Sequence, residues 1–280
     1  MKITLLGTGS PLPSATCAGP STLVQAGGQN IVVDAGRGVI MRLVGAGCPP
    51  PFIAAVFLTH LHSDHICDLN DIITTRWIST PAATALPIYG PKGTKRMVDG
   101  ILSMLTQDET YRLDHHDDLR AAGGMKVDVR EVEAGETFSI GDVAISVHAT
   151  DHRPVAPTVG FRIEHEGVVA ALAGDTIPCE GLYDMCKDAD VYVQTVLRED
   201  LVRTFAPLVP TGDRFLDILD YHSTVQQAGQ TAAKCNVKTL LLTHFVPAIQ
   251  PGQEEEWRAM AAEHFSGEIV VGPDLTFVEK

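Results

Sequence analysis

The sequence predicts an α/β protein organised as one domain. Three observations carry that reading. Short apolar segments of strand length alternate with segments of helical spacing along the whole chain. No linker, low-complexity tract or internal repeat divides them. The chain has 280 residues, 45% hydrophobic and 20% charged, enough to bury a large core and too apolar for a disordered chain.

The elements follow in order. Residues 2–7 form a short apolar strand, and the Gly7-Thr8-Gly9-Ser10-Pro11 turn opens a loop to Pro20. Residues 21–26 and 30–34 read as a hairpin around Gly27-Gly28, and 38–44 as a short helix. A buried strand at 52–59 runs into a histidine cluster, and Ile66, Leu69, Ile72, Ile73 and Trp77 then recur at helical spacing. Next come a strand at 86–89, a helix at 94–105 and strands at 125–132 and 137–150, the last broken at Gly141-Asp142. A second hairpin pairs 159–164 with 168–173 across His165-Glu166-Gly167. Helices are expected at 182–187, 223–235 and 254–265, and strands at 190–196, 239–243, 268–271 and 276–279. Residues 201–221 are long and mixed, a candidate lid.

Composition narrows the function. There are 21 basic and 35 acidic residues, a net charge of −14, which argues against a broad basic face for nucleic acid. Bound divalent cations would offset part of that acid excess. No apolar run approaches the ~20 residues of a membrane span, so no membrane partner is expected. The opening Met-Lys-Ile-Thr-Leu-Leu-Gly lacks the pattern of a secretory leader, and the expected compartment is the cytoplasm. Cys17, Cys48, Cys67, Cys179, Cys186 and Cys235 are scattered, as expected of reduced thiols.

The strongest chemical signal is Thr59-His60-Leu61-His62-Ser63-Asp64-His65. Alternation along an extended chain places His60 and His62 on one side, and Asp64 and His65, opening a helix, can turn to a second point. Imidazole and carboxylate are ligands that zinc takes. Three further apolar strands each end in a ligand type: His152, Asp175 and His244. Taken singly, each is an ordinary cap or satisfied polar group. Together with the first cluster they complete a plausible two-metal site.

In this arrangement the chain resembles the metallo-β-lactamase superfamily, and within it the ribonuclease Z and arylsulfatase-like group. The resemblance rests on His60-x-His62-x-Asp64-His65 with Asp34, His152, Asp175 and His244 in order. Leu6-Gly7-Thr8-Gly9-Ser10, the segment Tyr89 to Thr94, His152-Arg153-Pro154 with Gly160-Phe161-Arg162, and Tyr221-His222-Ser223-Thr224 extend it over nearly the whole chain. It implies an αββα four-layer sandwich with two Zn²⁺ ions, or other divalent ions such as Mn²⁺ or Fe²⁺, at one edge of the sheets. By position His60, His62 and His152 would hold one ion, Asp64, His65 and His244 the other, and Asp175 would bridge them. Asp34 would orient a histidine ligand.

The catalytic candidates are Asp64 and His222. His222 is not needed to fill either metal, and the resemblance gives it a role at a phosphoryl oxygen or leaving group. His115, His116, His148, His165 and His264 read as ordinary histidines; His148, the one rival to His152, lies inside a strand rather than at its exit. A metal pair ~3.5–4 Å apart lowers the pKa of a shared water, and the bridging hydroxide attacks phosphorus, sulfur or carbonyl centres. The expected function is therefore a dinuclear zinc phosphodiesterase acting on RNA 3′ ends or small phosphodiesters, and the resemblance implies a homodimer. The alternatives are an arylsulfatase-like hydrolase of sulfate esters and a non-catalytic metal-binding protein.

Two departures point away from tRNA maturation and toward small diesters. Ribonuclease Z enzymes carry a tRNA-gripping arm between the third and fourth ligand motifs, where this chain has one short hairpin. They also carry a His-Glu-Ala-Thr segment whose glutamate supports the catalytic histidine. Here that strand end is Gln194-Thr195-Val196, with Glu199 as the nearest substitute.

Overall fold

The computed structural model describes residues 1–80 and 84–280. Six strands come first: β1 (Lys2–Gly7), β2 (Ser21–Ala26), β3 (Gln29–Val33), β4 (Ala55–Phe57), β5 (Leu86–Gly90) and β6 (Val127–Glu131). Seven more follow: β7 (Thr137–Ile140), β8 (Val143–Ala149), β9 (Val159–His165), β10 (Val168–Leu172), β11 (Val191–Leu197), β12 (Thr239–Val246) and β13 (Glu268–Val270). The last strand, β14 (Phe277–Glu279), returns to pair antiparallel with β1. The two sheets run β14-β1-β2-β3-β4-β5-β6 and β13-β12-β11-β10-β9-β8-β7.

Period-two alternation builds the layers. In β10, Ala170 and Leu172 face the opposite sheet, while Val169 and Ala171 face outward. Between the sheets, Ile3, Leu5, Val24 and Phe57 of the first meet Val143, Ile145, Phe161 and Leu241 of the second. Phe57 and Phe161 sit with ring centroids 4.8 Å apart across this interface. The outer face of the first sheet is covered by α1 (Val39–Gly45), α2 (Ser63–Ile66), α3 (Leu69–Ser79) and α4 (Thr94–His115), where Val39, Leu43, Ile72 and Val98 bury Leu6, Val32 and Ile88. A short helix, α5 (Asp117–Ala122), follows. The second sheet is covered by α6 (Glu180–Cys186) and, after α7 (Glu199–Phe205) and α8 (Gly212–Asp217), by α9 (Val225–Lys234) and α10 (Glu254–Ala262). Leu182, Ala228 and Trp257 there bury Val169, Leu240 and Leu242. The result is the expected αββα sandwich.

Strand direction gathers the chemistry. The runs β3-β4-β5-β6 and β10-β11-β12-β13 are parallel. Ligands bind outside the carboxyl ends of such strands. Asp34 follows β3, His60 follows β4, Asp175 follows β10, and His244 lies near the end of β12.

Several elements differ from the sequence reading. The strand expected at 52–59 pairs only over Ala55–Phe57, because Pro50–Phe52 forms a 3₁₀ turn instead. The helix expected at 94–105 continues to His115. Its second half has no apolar stripe and rests on polar contacts. Asp108 and Arg112 pair at 2.8 Å, and the Glu109 carboxylate accepts the Met125 N–H at 2.7 Å. Residues 201–221, read as mixed, fold into α7, α8 and two 3₁₀ turns. Phe215, Leu216, Ile218 and Leu219 pack there against Leu197, Val202 and Val246. All six cysteines are free, as expected.

Candidate metal centre

Local backbone sets the direction of each donor. His62 is extended (φ −63°, ψ 145°) and precedes α2, so His60 and His62 share one side while Asp64 and His65 turn inward and are buried. Asp34 (φ 63°) and His244 (φ 49°) occupy the left-handed region, uncommon away from glycine and concentrated at functional sites. Gly174 (φ 65°) lets the Asp175 loop press against the preceding turn, since a Cβ there would lie 2.6 Å from Thr59. Three hydroxyls brace that loop. Thr195 donates to Gly174 O (2.9 Å), Ser223 donates to Thr176 O (2.7 Å), and Thr176 Oγ1 accepts the Asp151 N–H (2.9 Å).

Two donor groups result: His60, His62, His152 and Asp175, and Asp64, His65 and His244. Within each, the donor atoms lie within 4.8 Å of one another. His62 Nδ1 is 3.1 Å from His60 Nε2 and 3.3 Å from His152 Nε2. Donors on one tetrahedral zinc stand about 3.3 Å apart, given Zn–N bonds of ~2.0–2.1 Å. His244 Nε2 is 3.2 Å and His65 Nε2 3.6 Å from Asp64 Oδ2. Asp175 Oδ2 is central, 3.4 Å from His65 Nε2, 3.6 Å from His244 Nε2, 3.8 Å from His60 Nε2 and 3.9 Å from His152 Nε2.

Three of the remaining ring nitrogens are tied down, whereas His244 Nδ1 is buried without a hydrogen-bond partner. His65 Nδ1 donates to Asp34 Oδ2 at 2.8 Å, and Thr59 gives the same carboxylate its N–H (2.8 Å) and its hydroxyl proton (2.9 Å). The Thr59 oxygen is then free to accept from His60 Nδ1 at 3.1 Å. His152 Nδ1 donates to the Tyr221 carbonyl at 2.8 Å. A carbonyl only accepts, so the His152 Nε2 lone pair faces the cluster.

The electrostatics suit cations. Burial holds His60 well below the usual imidazole range, with His65 adding to the effect, and burial pushes His152 down to about 4. Both are therefore neutral, as ligands must be. Burial opposes charge on His65, but Asp175 and Asp34 outweigh it and lift its pKa; His244 is lifted against burial by Asp175 and Asp64. Burial disfavours the Asp175 anion, yet His244 and His65 hold it well below the usual carboxylate range. Asp34, Asp64 and Asp175 are buried, and among the described residues none pairs with Lys or Arg. Asp175 Oδ1 and His65 Nε2 are buried with no hydrogen-bond partner. Unpartnered lone pairs around buried carboxylates are what divalent cations would satisfy, so the donor set fits the metals the resemblance implies.

His222 lies at the open side. Its Nε2 is 3.3 Å from Asp175 Oδ2, and its Nδ1 donates to Ile218 O at 3.0 Å. Glu199, expected as the nearest substitute for the family glutamate, points elsewhere and pairs with Arg203. Helical geometry at the start of α7 aims it four residues along, and the Ile218 carbonyl takes the orienting place. His148 lies away from the cluster, with Nε2 3.1 Å from Ser146 Oγ. The sequence reading missed Thr59, Ile218 and the Tyr221 carbonyl. Only Thr59, adjacent to His60, left a signal; the other two act through backbone.

The Beta-lactamase superfamily domain profile matches residues 29–245. Ribonuclease Z of Mycolicibacterium gilvum is 50% identical over 281 residues, covering 100% of this chain and 96% of its own length. The metallo-β-lactamase fold protein YhfI of Bacillus subtilis superposes with a TM-score of 0.74 at 21% identity, over 100% of this chain and 98% of that one. The short form of human tRNase Z, ELAC1, gives 0.71 at 22%, over 100% and 99%. The two solved structures speak to the fold; the curated relative, identical at half its positions from end to end, speaks to the family. The chain belongs to the β-lactamase superfamily, among the ribonuclease Z-like hydrolases.

Proposed function

We propose that this protein is a dinuclear zinc phosphodiesterase that cleaves RNA near its 3′ end and also accepts small phosphodiesters. The observation that carries the reading is the central placement of Asp175 between two donor groups, with His222 beside it. When bound, a metal pair supplies an activated water and neutralises charge on the scissile oxygens. His60, His62 and His152 would hold one ion, Asp64, His65 and His244 the other, and Asp175 both. His222 keeps its Nδ1 proton on Ile218 O and presents Nε2 to the departing oxygen.

The missing arm weighs less against RNA than it does in the sequence alone. The M. gilvum relative is named Ribonuclease Z and matches this chain end to end, leaving little length for an added arm. That name also favours the phosphodiester over the sulfate-ester reading. Steady-state kinetics at one stated salt concentration, on precursor tRNA, an aryl phosphodiester and an aryl sulfate, tests the proposal. Cleavage of both phosphodiesters and not the sulfate is expected; turnover of the sulfate alone would overturn it. The same reading includes a homodimer, checked by light scattering, and a reducing cytoplasmic setting that six free cysteines suit. Among the described residues no helix is long and apolar enough to cross a membrane.

A further inference from the structure

The residue before His222 is aromatic, and its side chain has no part in the chemistry above. The Tyr221 ring packs against His152 (centroids 5.2 Å apart, 77° between planes) and His222 (4.7 Å, 44°). It is half-buried and forms one wall of a 440 Å³ pocket. His62 forms part of the lining, so the pocket opens directly off the candidate metal centre. Pro154 and Val155 supply apolar surface, and Asp217, Asp220 and Arg153 supply the charge. Arg153 is already committed: Nε and Nη2 grip the Asp151 carboxylate at 2.9 and 2.7 Å. The Asp217 and Asp220 carboxylates make no side-chain hydrogen bond or ion pair among the described residues. Both are exposed carboxylates, open to an incoming donor beside an aromatic face.

From this geometry we propose that the pocket is a nucleoside subsite, holding the base and sugar attached to the scissile phosphate with the base against Tyr221. The volume lies in the range of small-molecule pockets. A ring against an aromatic side chain gains stacking whatever the base, whereas Asp217 and Asp220 accept only from donors such as exocyclic amino groups and sugar hydroxyls. The same carboxylates repel a group bearing its own negative charge. The subsite therefore selects a neutral, donor-bearing ring and rejects an anionic one. This rests on the phosphodiesterase reading and names the chemical class that the centre serves.

The test uses metal-loaded protein and three chromogenic diesters: the p-nitrophenyl ester of cytidine 5′-phosphate, methyl p-nitrophenyl phosphate, and p-nitrophenyl p-carboxyphenyl phosphate. The wild type should prefer the cytidine ester over the methyl ester in kcat/KM by about 5- to 150-fold, the range of one base–aromatic stack. Tyr221→Ala should collapse that ratio toward one. The Asp217→Asn/Asp220→Asn pair should raise use of the carboxyphenyl ester relative to the methyl ester. Equal use of cytidine and methyl esters by the wild type, or an unchanged ratio in Tyr221→Ala, overturns the subsite. Failure to hydrolyse any of the three overturns the phosphodiesterase reading instead. Calorimetric binding of cytidine monophosphate against inorganic phosphate then decides the subsite by itself: a nucleoside advantage lost in Tyr221→Ala supports it, and no advantage overturns it.

Discussion

Asp34→Asn isolates what a residue that touches no metal does for the site. Asp34 accepts three hydrogen bonds, from Thr59 N, Thr59 Oγ1 and His65 Nδ1, at 2.8, 2.9 and 2.8 Å. Oδ2 takes two of them, so the asparagine carbonyl must stay there. Its NH₂ then replaces Oδ1 and faces the buried Thr59 N–H, donor against donor. One charge-assisted bond is lost and a buried donor is left unpaired, a cost of about 1.5–3 kcal/mol. The backbone adds nothing, because asparagine tolerates φ 63°. Thr59 shares its oxygen with His60 Nδ1, and Asp34 itself orients His65, so ligands of both donor groups lose their bracing. Metal affinity should fall about 10- to 100-fold. Competition against a chromophoric chelator reads the affinity, and urea unfolding in excess chelator reads the stability. Wild-type affinity in Asp34→Asn would refute the reasoning, because the carboxylate would then hold neither histidine for the metal.

Asp175→Ala should lose both metal, by elemental analysis, and turnover, because every other imidazole donor of the cluster except His62 lies within 4 Å of its Oδ2. His222→Ala should keep the metal and lose about 10²–10⁴-fold in kcat; loss of metal would show that His222 is a ligand. Chelated protein should be most stable near pH 6.5, by urea unfolding across pH. His60 and His152 are lowered in the fold, so their contribution is lost as pH falls below the unfolded value of ~6.5, for His152 through about 4. His65 and His244, raised in the fold, contribute fully below that value and lose it as pH climbs. Adding zinc should flatten the alkaline limb, and a chelated protein whose stability rises steadily to pH 9 would contradict this account.

Much of the fold was legible because burial writes itself into the sequence as period two. Val143, Ile145 and Val147 alternate with exposed or half-buried neighbours and face the other sheet. The candidate donors were legible for a related reason, since polar residues that close apolar strands stand out. What stayed hidden was set by contacts that composition does not encode. The second half of α4 is helical through ion pairs and one distant carboxylate, with no apolar stripe to reveal it. The partner of His222 is a carbonyl oxygen, which every residue possesses, so Glu199 was the visible candidate and Ile218 the actual one. Tyr221 reads in sequence as the neighbour of a histidine; the pocket beside it exists only once residues 153–155 and 217–221 come together.

The pairing of β14 with β1 also sets a timetable for synthesis. β2 emerges within twenty residues of β1 and covers one edge at once. The opposite edge waits for Phe277–Glu279, which pair with Lys2, Ile3 and Thr4. At ~5–20 residues per second that edge stays open for roughly 14–55 s on the ribosome. An unpaired edge strand is a template for wrong partners, and a lysine on it is one of the devices that discourages them. Lys2 occupies that edge, and once β14 arrives its ammonium settles over the Phe277 ring at 4.3 Å. A charge that guards the nascent chain thus becomes part of the clasp that closes the finished one.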